Sequence, residues 1–413
     1  MSGEWPTKSV AELQAAGVLL VEDGNHGENR PRRNEFAGEG IQFIRAADMD
    51  GGRVLFESAQ RINEVARKRI RKGIGAGGDV LLSHKGTVGK VAYVPIDAPP
   101  FVCSPQTTFW RVTDATQLDR RYIYFYLQSR PFREQLDSRK GETDMADYVS
   151  LTSQRTLKVT VPPIANQNVI ATVLGALDDK IELSRRMNAT MDAMARALFQ
   201  SWFVDFDPVR ANLDGCRPTS LDAATAALFP DSLQESAVGP IPYGWDVGRL
   251  DEVLTLQRGF DLPTPERTYG QYPVLAASGP NGCHNKFMVR GPGVTTGRSG
   301  VLGKVFYVHG DFWPLNTSLW VKEFKRASPE YAFHLLRSID FELFNAGSAV
   351  PTLNRNHVHN LPVVIPPKNV IDAFSEKVSP MMKKQKANED HSLTVAEIRD
   401  ALLPKLLCGD ICV

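Results

Sequence analysis

Gly86-Thr-Val-Gly-Lys-Val-Ala-Tyr-Val94 and Gly300-Val-Leu-Gly-Lys-Val-Phe-Tyr-Val308 are one phrase written twice, with six of nine positions identical and about half the chain between them. Similarity at a spacing this long marks a duplicated architecture. Reading outward, Gln106-Thr-Thr-Phe-Trp110 parallels Asn316-Thr-Ser-Leu-Trp320, and Tyr122–Leu127 runs beside Tyr331–Leu336. Each copy then reaches an apolar strand closed by a proline pair, Val159-Thr-Val-Pro-Pro163 and Val363-Val-Ile-Pro-Pro367. The openings agree more loosely: Trp5, Val10 and Leu13 are spaced like Trp245, Leu250 and Val253.

The spacings say where the copies differ. From the opening tryptophan to the first turn glycine is 81 residues in one copy and 55 in the other. From the second proline of each pair, Asp207 lies 44 residues on and Asp410 lies 43 on. Unequal fronts on equal backs point to two readers mounted on two equivalent struts.

The struts read as helices. Residues 166–203 contain no proline and one glycine. Ile170, Leu174, Leu177, Ile181, Met191, Met194 and Leu198 recur at the three-and-four spacing of a paired helix. Ser184 and Asn188 interrupt that seam, as polar residues that fix register do. Val370, Phe374, Val378, Val395, Ile398 and Leu402 supply a second seam over 369–407, with Pro380 expected to kink it and Pro404 to disturb its last turn. Two such helices in a duplicated chain pack most simply antiparallel.

Short strands such as Val80–Leu82, Lys90–Val94 and Phe109–Val112 alternate with turns and one helix around Tyr122–Leu136. The expected fold is therefore α+β: two similar modules dominated by antiparallel strands, joined by two long antiparallel, coiled-coil-like helices. The boundaries are 1–163 for the first module, 164–207 for the first helix, 208–239 for a connector, 240–367 for the second module and 368–413 for the second helix. The connector should hold one short helix, Ser220–Phe229, capped by Ser220.

Hydrophobic content of 42%, charged content of 23% and a net charge of +1 describe an ordinary globular chain with no overall attraction to nucleic acid. No apolar run is long enough for a membrane span, and the opening is no signal peptide. Five scattered cysteines, never spaced as CxxC, fit reduced thiols in the cytoplasm, with neither disulfide framework nor zinc site.

Motifs for catalysis fail one by one. Asp97-Ala-Pro-Pro-Phe101 has an extra alanine relative to the loop of amino-methyltransferases, and no glycine-rich loop accompanies it. Gly303-Lys304 lacks the first glycine and the Ser or Thr of a P-loop. Asp311 with Glu323 and Lys325 has the residue types of a metal nuclease, but the first copy has no counterpart. His357 and His359 have no acid or cysteine beside them to complete a metal site. No catalytic and no metal-binding residues are expected.

What remains suits binding. The glycines of each repeated turn permit a tight reversal, and Lys90 and Lys304 stand where they can reach a phosphate. The flanking Lys85, Thr87, Arg298 and Ser299 join them. Gln106, Thr107 and Thr108, with Asn316, Thr317 and Ser318, offer amides and hydroxyls that pair with base edges, or that cap a strand end. The run 61–72 has six basic residues against one acid, and Arg67, Lys68, Arg71 and Lys72 are its candidate phosphate contacts; Arg30, Arg32 and Arg33 form a smaller cluster.

With these residues in place, the chain resembles the specificity subunits of type I restriction–modification enzymes. The likeness lies in Gly-Thr-Val-Gly-Lys-Val (86–91), Ser-Gly-Val-Leu-Gly-Lys-Val (299–305) and Val-Pro-Pro-Ile-Ala-Asn-Gln (161–167). It continues in Phe-Val-Asp-Phe-Asp-Pro-Val-Arg (203–210), Leu-Phe-Pro-Asp-Ser (228–232) and Gly-Pro-Ile-Pro-Tyr-Gly-Trp (239–245). The resemblance implies two target-recognition domains, each reading half of a bipartite site on double-stranded DNA. It also implies that the helices, through the seam Ile170 to Leu198, dock two methyltransferase subunits. S-adenosylmethionine, ATP and magnesium would then sit on those subunits and on a motor–nuclease subunit, with no cofactor on this chain. Lys368-Asn-Val after the second proline pair, and Pro380, depart from the first copy. Two other readings stand beside this one: a self-contained methyltransferase or nuclease, and a duplicated scaffold that does not touch DNA.

Overall fold

Val80–Ser83 and Thr107–Val112 are buried almost throughout, which a short strand manages only when covered on both faces. The computed structural model, which describes residues 5–140, 147–218, 221–344 and 352–409, places them at the centre of a six-stranded sheet. Its order is Leu19–Asp23, Thr107–Val112, Val80–Ser83, Val91–Tyr93, Arg53–Val54, Met49–Asp50. The second copy builds the first four of these again, in the same order: Leu254–Arg258, Ser318–Phe324, Gly293–Gly297, Val305–Val308. Pairing among the four is antiparallel in both copies.

The duplication extends to details. Thr7–Ser9 pairs with Lys158–Thr160, and Asp246–Arg249 with Pro362–Ile365, so each module is closed by the strand before its proline pair. Even a parallel pairing recurs, Ile41–Ile44 beside Phe101–Cys103 and Tyr272–Ala276 beside Trp313–Pro314. The inserts after the first frame strand are what differ. Residues 24–79 contribute to a five-stranded second sheet, whereas 259–292 contribute to a three-stranded one.

The helix expected around Tyr122–Leu136 is two helices, Arg120–Gln128 and Arg130–Asp137. Pro131 has no N–H for the carbonyl of Leu127. Ser129 takes an extended conformation instead, and its hydroxyl caps the N–H of Phe132.

The contacts divide the chain into two units, residues 1–182 with 392–413, and residues 183–391. The long helices are Ile164–Phe203 and Lys368–Leu407. In the first unit Ile170 and Leu174 share a core with Val10, Leu13, Tyr122 and Leu406, and Asp178 accepts from Tyr124 Oη at 3.0 Å and from Arg399. In the second unit Phe199, Trp202 and Phe203 close on Phe374, with the Phe203 and Phe374 rings 5.2 Å apart. There too, Asn188 Nδ2 donates to the carbonyl of Gln385 at 3.0 Å and Asn388 Nδ2 donates to Asn188 Oδ1 at 2.8 Å. Within each unit rising numbers on one helix meet falling numbers on the other, so the pairing is antiparallel. The second helix is unbroken at Pro380 and Pro404. Each proline there costs one hydrogen bond, at the carbonyls of Glu376 and Asp400.

The segment 208–239 does more than connect. Val209, Leu221 and Phe229 are buried in the second unit's core with Trp202 and Trp245. Its helices are Asp207–Leu213 and Ala223–Ala226, the latter capped by Asp222, whose Oδ1 accepts from Thr225 N at 2.8 Å. The expected cap Ser220 lies outside the described residues, as do Asp410 and Cys412.

Candidate nucleic-acid interface

Two basic clusters that the sequence keeps apart become one surface in the first unit. Asn63 caps the helix Glu64–Arg69 by accepting from Ala66 N at 3.0 Å. From its last turn Arg69 reaches back and grips Glu35, with Nη1–Oε1 at 2.8 Å, and donates from Nη2 to the carbonyl of Arg30 at 3.3 Å. The guanidinium of Arg69 and the N–H of Arg32 hold the Glu35 carboxyl well below its usual range, at about 2. Asn25 Oδ1 accepts the backbone N–H groups of Arg71 and Lys72 and fixes the turn beyond the helix. Arg30, Arg32 and Arg33 are thereby set beside Lys68, Arg71 and Lys72, and all six are exposed. Arg67 is half-buried, and Arg69, with the same charge, is the tie that assembles the patch.

The repeated turns are built as expected. Gly86, Gly89, Gly300 and Gly303 all have positive φ, at 78°, 95°, 86° and 76°, which side chains other than glycine rarely adopt. Lys85 and Thr87 are exposed, with Lys85 Nζ 5.6 Å from the centre of the Tyr148 ring. Arg298 and Ser299 are half-buried, and Arg298 Nη1 donates to the carbonyl of Asn316 at 3.4 Å. The matched lysines part company. Lys304 is exposed, but Lys90 Nζ donates to the carbonyls of Ala46 and Met49 at 3.1 and 2.9 Å. Lys90 thus staples the insert to the frame and does not stand free for a phosphate.

The polar triplets need a larger correction. Thr107 and Thr108 have no exposed surface, and their hydroxyls donate to the carbonyls of Ile44 and Leu82 at 3.2 and 3.3 Å. Ser318 is equally buried and donates to the carbonyl of Leu275 at 3.1 Å. These three side chains tie strands together and offer nothing to a base edge. Thr317 Oγ1 accepts from Ala277 N at 3.3 Å, and Asn316 Nδ2 donates to Asp261 Oδ1. Of the six, Gln106 alone is exposed. In the second module the insert carries exposed Tyr269, Asn285, Lys286 and Arg290 on 259–292. The sequence reading missed these, because they lie in the unmatched front and a repeat search weights only what is matched.

The helix seam is corrected in the same way. Ile170, Leu174 and Ile181 are buried by the chain itself, and Leu177, Met191 and Leu198 are half-buried. Of the expected seam only Met194 is exposed, at 52%, and it shares its stripe with two residues the seam did not include, Leu183 and Met187, at 52% and 40%. At 3.6 residues per turn these three fall within about 40° of one another.

Two of the residues considered for chemistry hold backbone groups. Asp311 Oδ1 accepts from Gly291 N at 3.0 Å and holds a turn. His359 Nε2 accepts from Leu256 N at 2.9 Å. Burial pushes His84 and His334 down to about 4. Among the described residues no group of three or more His, Cys, Asp or Glu could hold a metal ion, and no helix is long and apolar enough to cross a membrane.

The comparisons agree with the repeat. The family model described as type I restriction modification DNA specificity domain matches residues 22–191 and again 242–386. The MjaIX type I restriction enzyme specificity subunit of Methanocaldococcus jannaschii is 24% identical over 91% of this chain and 88% of its own. The HindI specificity subunit of Haemophilus influenzae is 25% identical over 94% of this chain and 98% of its own. In three dimensions the S subunit of a type I system from M. genitalium is similar over 97% of this chain and 96% of its own, with a TM-score of 0.56 at 15% identity.

Proposed function

Because the chain belongs to the type I restriction–modification DNA-specificity family, we propose that each of its two modules reads one half of a two-part DNA site. It is a specificity subunit of a type I restriction–modification system, with DNA and other subunits of that system as its partners. The observation that carries the division into halves is the four-strand frame, repeated in the same order with an unlike insert in each copy. A constant frame holds each insert at a fixed place, and an insert of its own gives each module its own bases to read.

In this reading the cations at 30–33 and 68–72 hold the phosphate backbone and set affinity, while exposed groups such as Gln106 set preference. Two methyltransferase subunits dock on the helices, with Leu183, Met187 and Met194 as one contact stripe. A motor–nuclease subunit joins the same complex in the cytoplasm. S-adenosylmethionine, ATP and magnesium are used on the partners, and this chain performs no chemistry.

The test is methylation of a library of duplexes by the chain assembled with its methyltransferase subunits. Gln106→Ala should change preference at one half-site and leave the other as it was. A change spread over both halves, or methylation by the chain alone, would overturn the assignment.

A further inference from the structure

The two frames differ at one edge. In the first copy Val91–Tyr93 is covered by Arg53–Val54, which runs parallel to it with Tyr93 opposite Arg53 and is itself paired with Met49–Asp50. In the second copy, among the described residues, no strand lies beyond Val305–Val308, and Val305, Phe306 and Tyr307 are half-exposed. An edge of free N–H and C=O groups is a template for another strand. The first copy shows what geometry covers it.

The charges around the edge say what kind of strand fits. In the first copy Arg53 of the covering strand donates to Glu182 at 3.0 Å, and Arg121 holds Asp179 through two bonds of 2.9 and 2.6 Å. Counted from the second proline of each pair, Asp179 and Glu182 correspond to Lys383 and Lys386, 16 and 19 residues on in both copies. Arg121, just before Tyr122, corresponds to Glu330, just before Tyr331. Every sign is reversed. Glu330 accepts from Tyr307 Oη at 3.2 Å, while Lys386 is held by Asp390, one turn along its own helix. What the second copy lacks among the described residues is the strand bearing the counterpart of Arg53, and opposite Lys386 that residue would be an acid.

At the other end of the strand a cavity of about 530 Å³ is lined by Lys304, Arg196, Arg337, Asp192 and Phe333. Arg337 and Arg196 both contact Asp192, at 2.7 and 3.2 Å, so three cations face one carboxylate. We propose that Val305–Val308 receives an extended acidic segment of another polypeptide as an added parallel strand, with carboxylates at Lys386 and in the Lys304 cavity. DNA phosphates could meet the cations, but a phosphodiester has no donors for the strand's carbonyls, and a peptide has both partners. This inference does not depend on how the modules read DNA.

The experiment is hydrogen exchange at the amides of Val305 and Tyr307, which match the outward-facing Val91 and Tyr93, in the full chain alone, with a duplex, and assembled with purified methyltransferase and motor subunits. Exchange should be fast alone and with duplex, and should slow about tenfold or more in the presence of one protein subunit. A photo-crosslinker at Lys304 should then join a segment of that subunit rich in Asp and Glu. Arg196→Glu with Lys386→Glu should weaken that subunit's binding about tenfold, with DNA affinity retained in a chain of unchanged melting temperature. Slow exchange in the isolated chain would mean the edge is already covered. Slowing by duplex alone would assign the cations to DNA, and fast exchange in every complex would leave no added strand. Each of these overturns the proposal.

Discussion

Neutralising Lys68, Arg71 and Lys72 together, as Gln, removes three exposed charges from a turn whose backbone is held separately by Asn25. The fold should survive, since none of the three side chains forms part of the Glu35–Arg69 tie. Each cation that neutralises a phosphate releases condensed counterions, and log K falls by roughly 0.9 per contact for each tenfold rise in salt. Three contacts therefore give a slope of about 2.7, and between 50 and 200 mM salt the parent chain should lose about forty times more affinity than the triple variant. The assay is fluorescence anisotropy of a labelled duplex bound by the assembled complex over a salt series, run with target and with random sequence. Both lines should flatten equally, and the preference for target should stand, because phosphate contacts carry no sequence information. An unchanged slope would remove the patch from the interface. A flattened slope with collapsed preference would show these residues reading bases.

Lys90→Met, by contrast, should leave the salt slope alone and lower stability by roughly 1–3 kcal/mol, read from thermal melting, because the carbonyls of Ala46 and Met49 lose their donor. Asn188→Leu should cost about as much by leaving Asn388 unpartnered in the helix seam, and adding Asn388→Leu should recover most of the loss at the expense of register, as a double-mutant melting cycle would show. His84 and His334 are held near 4 by burial, below the value of about 6.5 in an unfolded chain, so unfolding takes up protons in that window. Stability should be fully present above pH 6.5 and fall as pH drops toward 4. His334→Phe should reduce the fall if it packs, with chemical melts at pH 7 and pH 5 as the check.

Much of the architecture was legible because a duplicated sequence can be compared with itself. The turn glycines, the proline pairs and the seam residues recur at matched spacings, and each is a position where backbone geometry or packing admits few residues. Burial was less legible. Gln-Thr-Thr and Asn-Thr-Ser look like six equivalent polar groups, yet Thr107, Thr108 and Ser318 point into the sheet and bond to carbonyls across it. A hydroxyl satisfied by a backbone carbonyl is as much at home in a core as a methyl group, and composition alone cannot tell the two settings apart. The helix face met the same limit. Periodicity finds the apolar stripe, and most of that stripe is one the chain buries for itself; exposed Leu183 and Met187 stand out only once it has been covered, beside Met194, which the seam already contained.

The two turn lysines show why a repeated motif need not repeat a role. Lys90 and Lys304 occupy identical places in Gly-x-x-Gly-Lys, and the turns have matching backbone angles. Lys90 is held because residues 46–49 of the first insert bring two carbonyls to it, and the same stretch runs on into the strands Met49–Asp50 and Arg53–Val54 that close the sheet edge. The second insert is shorter and has no such stretch. One difference in the insert therefore has two consequences in the second copy: Lys304 is released to the surface, and among the described residues the strand that follows it has no partner on its outer edge. The change from Glu182 to Lys386 goes with the same difference, because a helix that no longer answers Arg53 has no use for an acid at that position, while the change from Asp179 to Lys383 goes with that from Arg121 to Glu330. The frame sets where a side chain stands, and the insert beside it decides what that side chain can do.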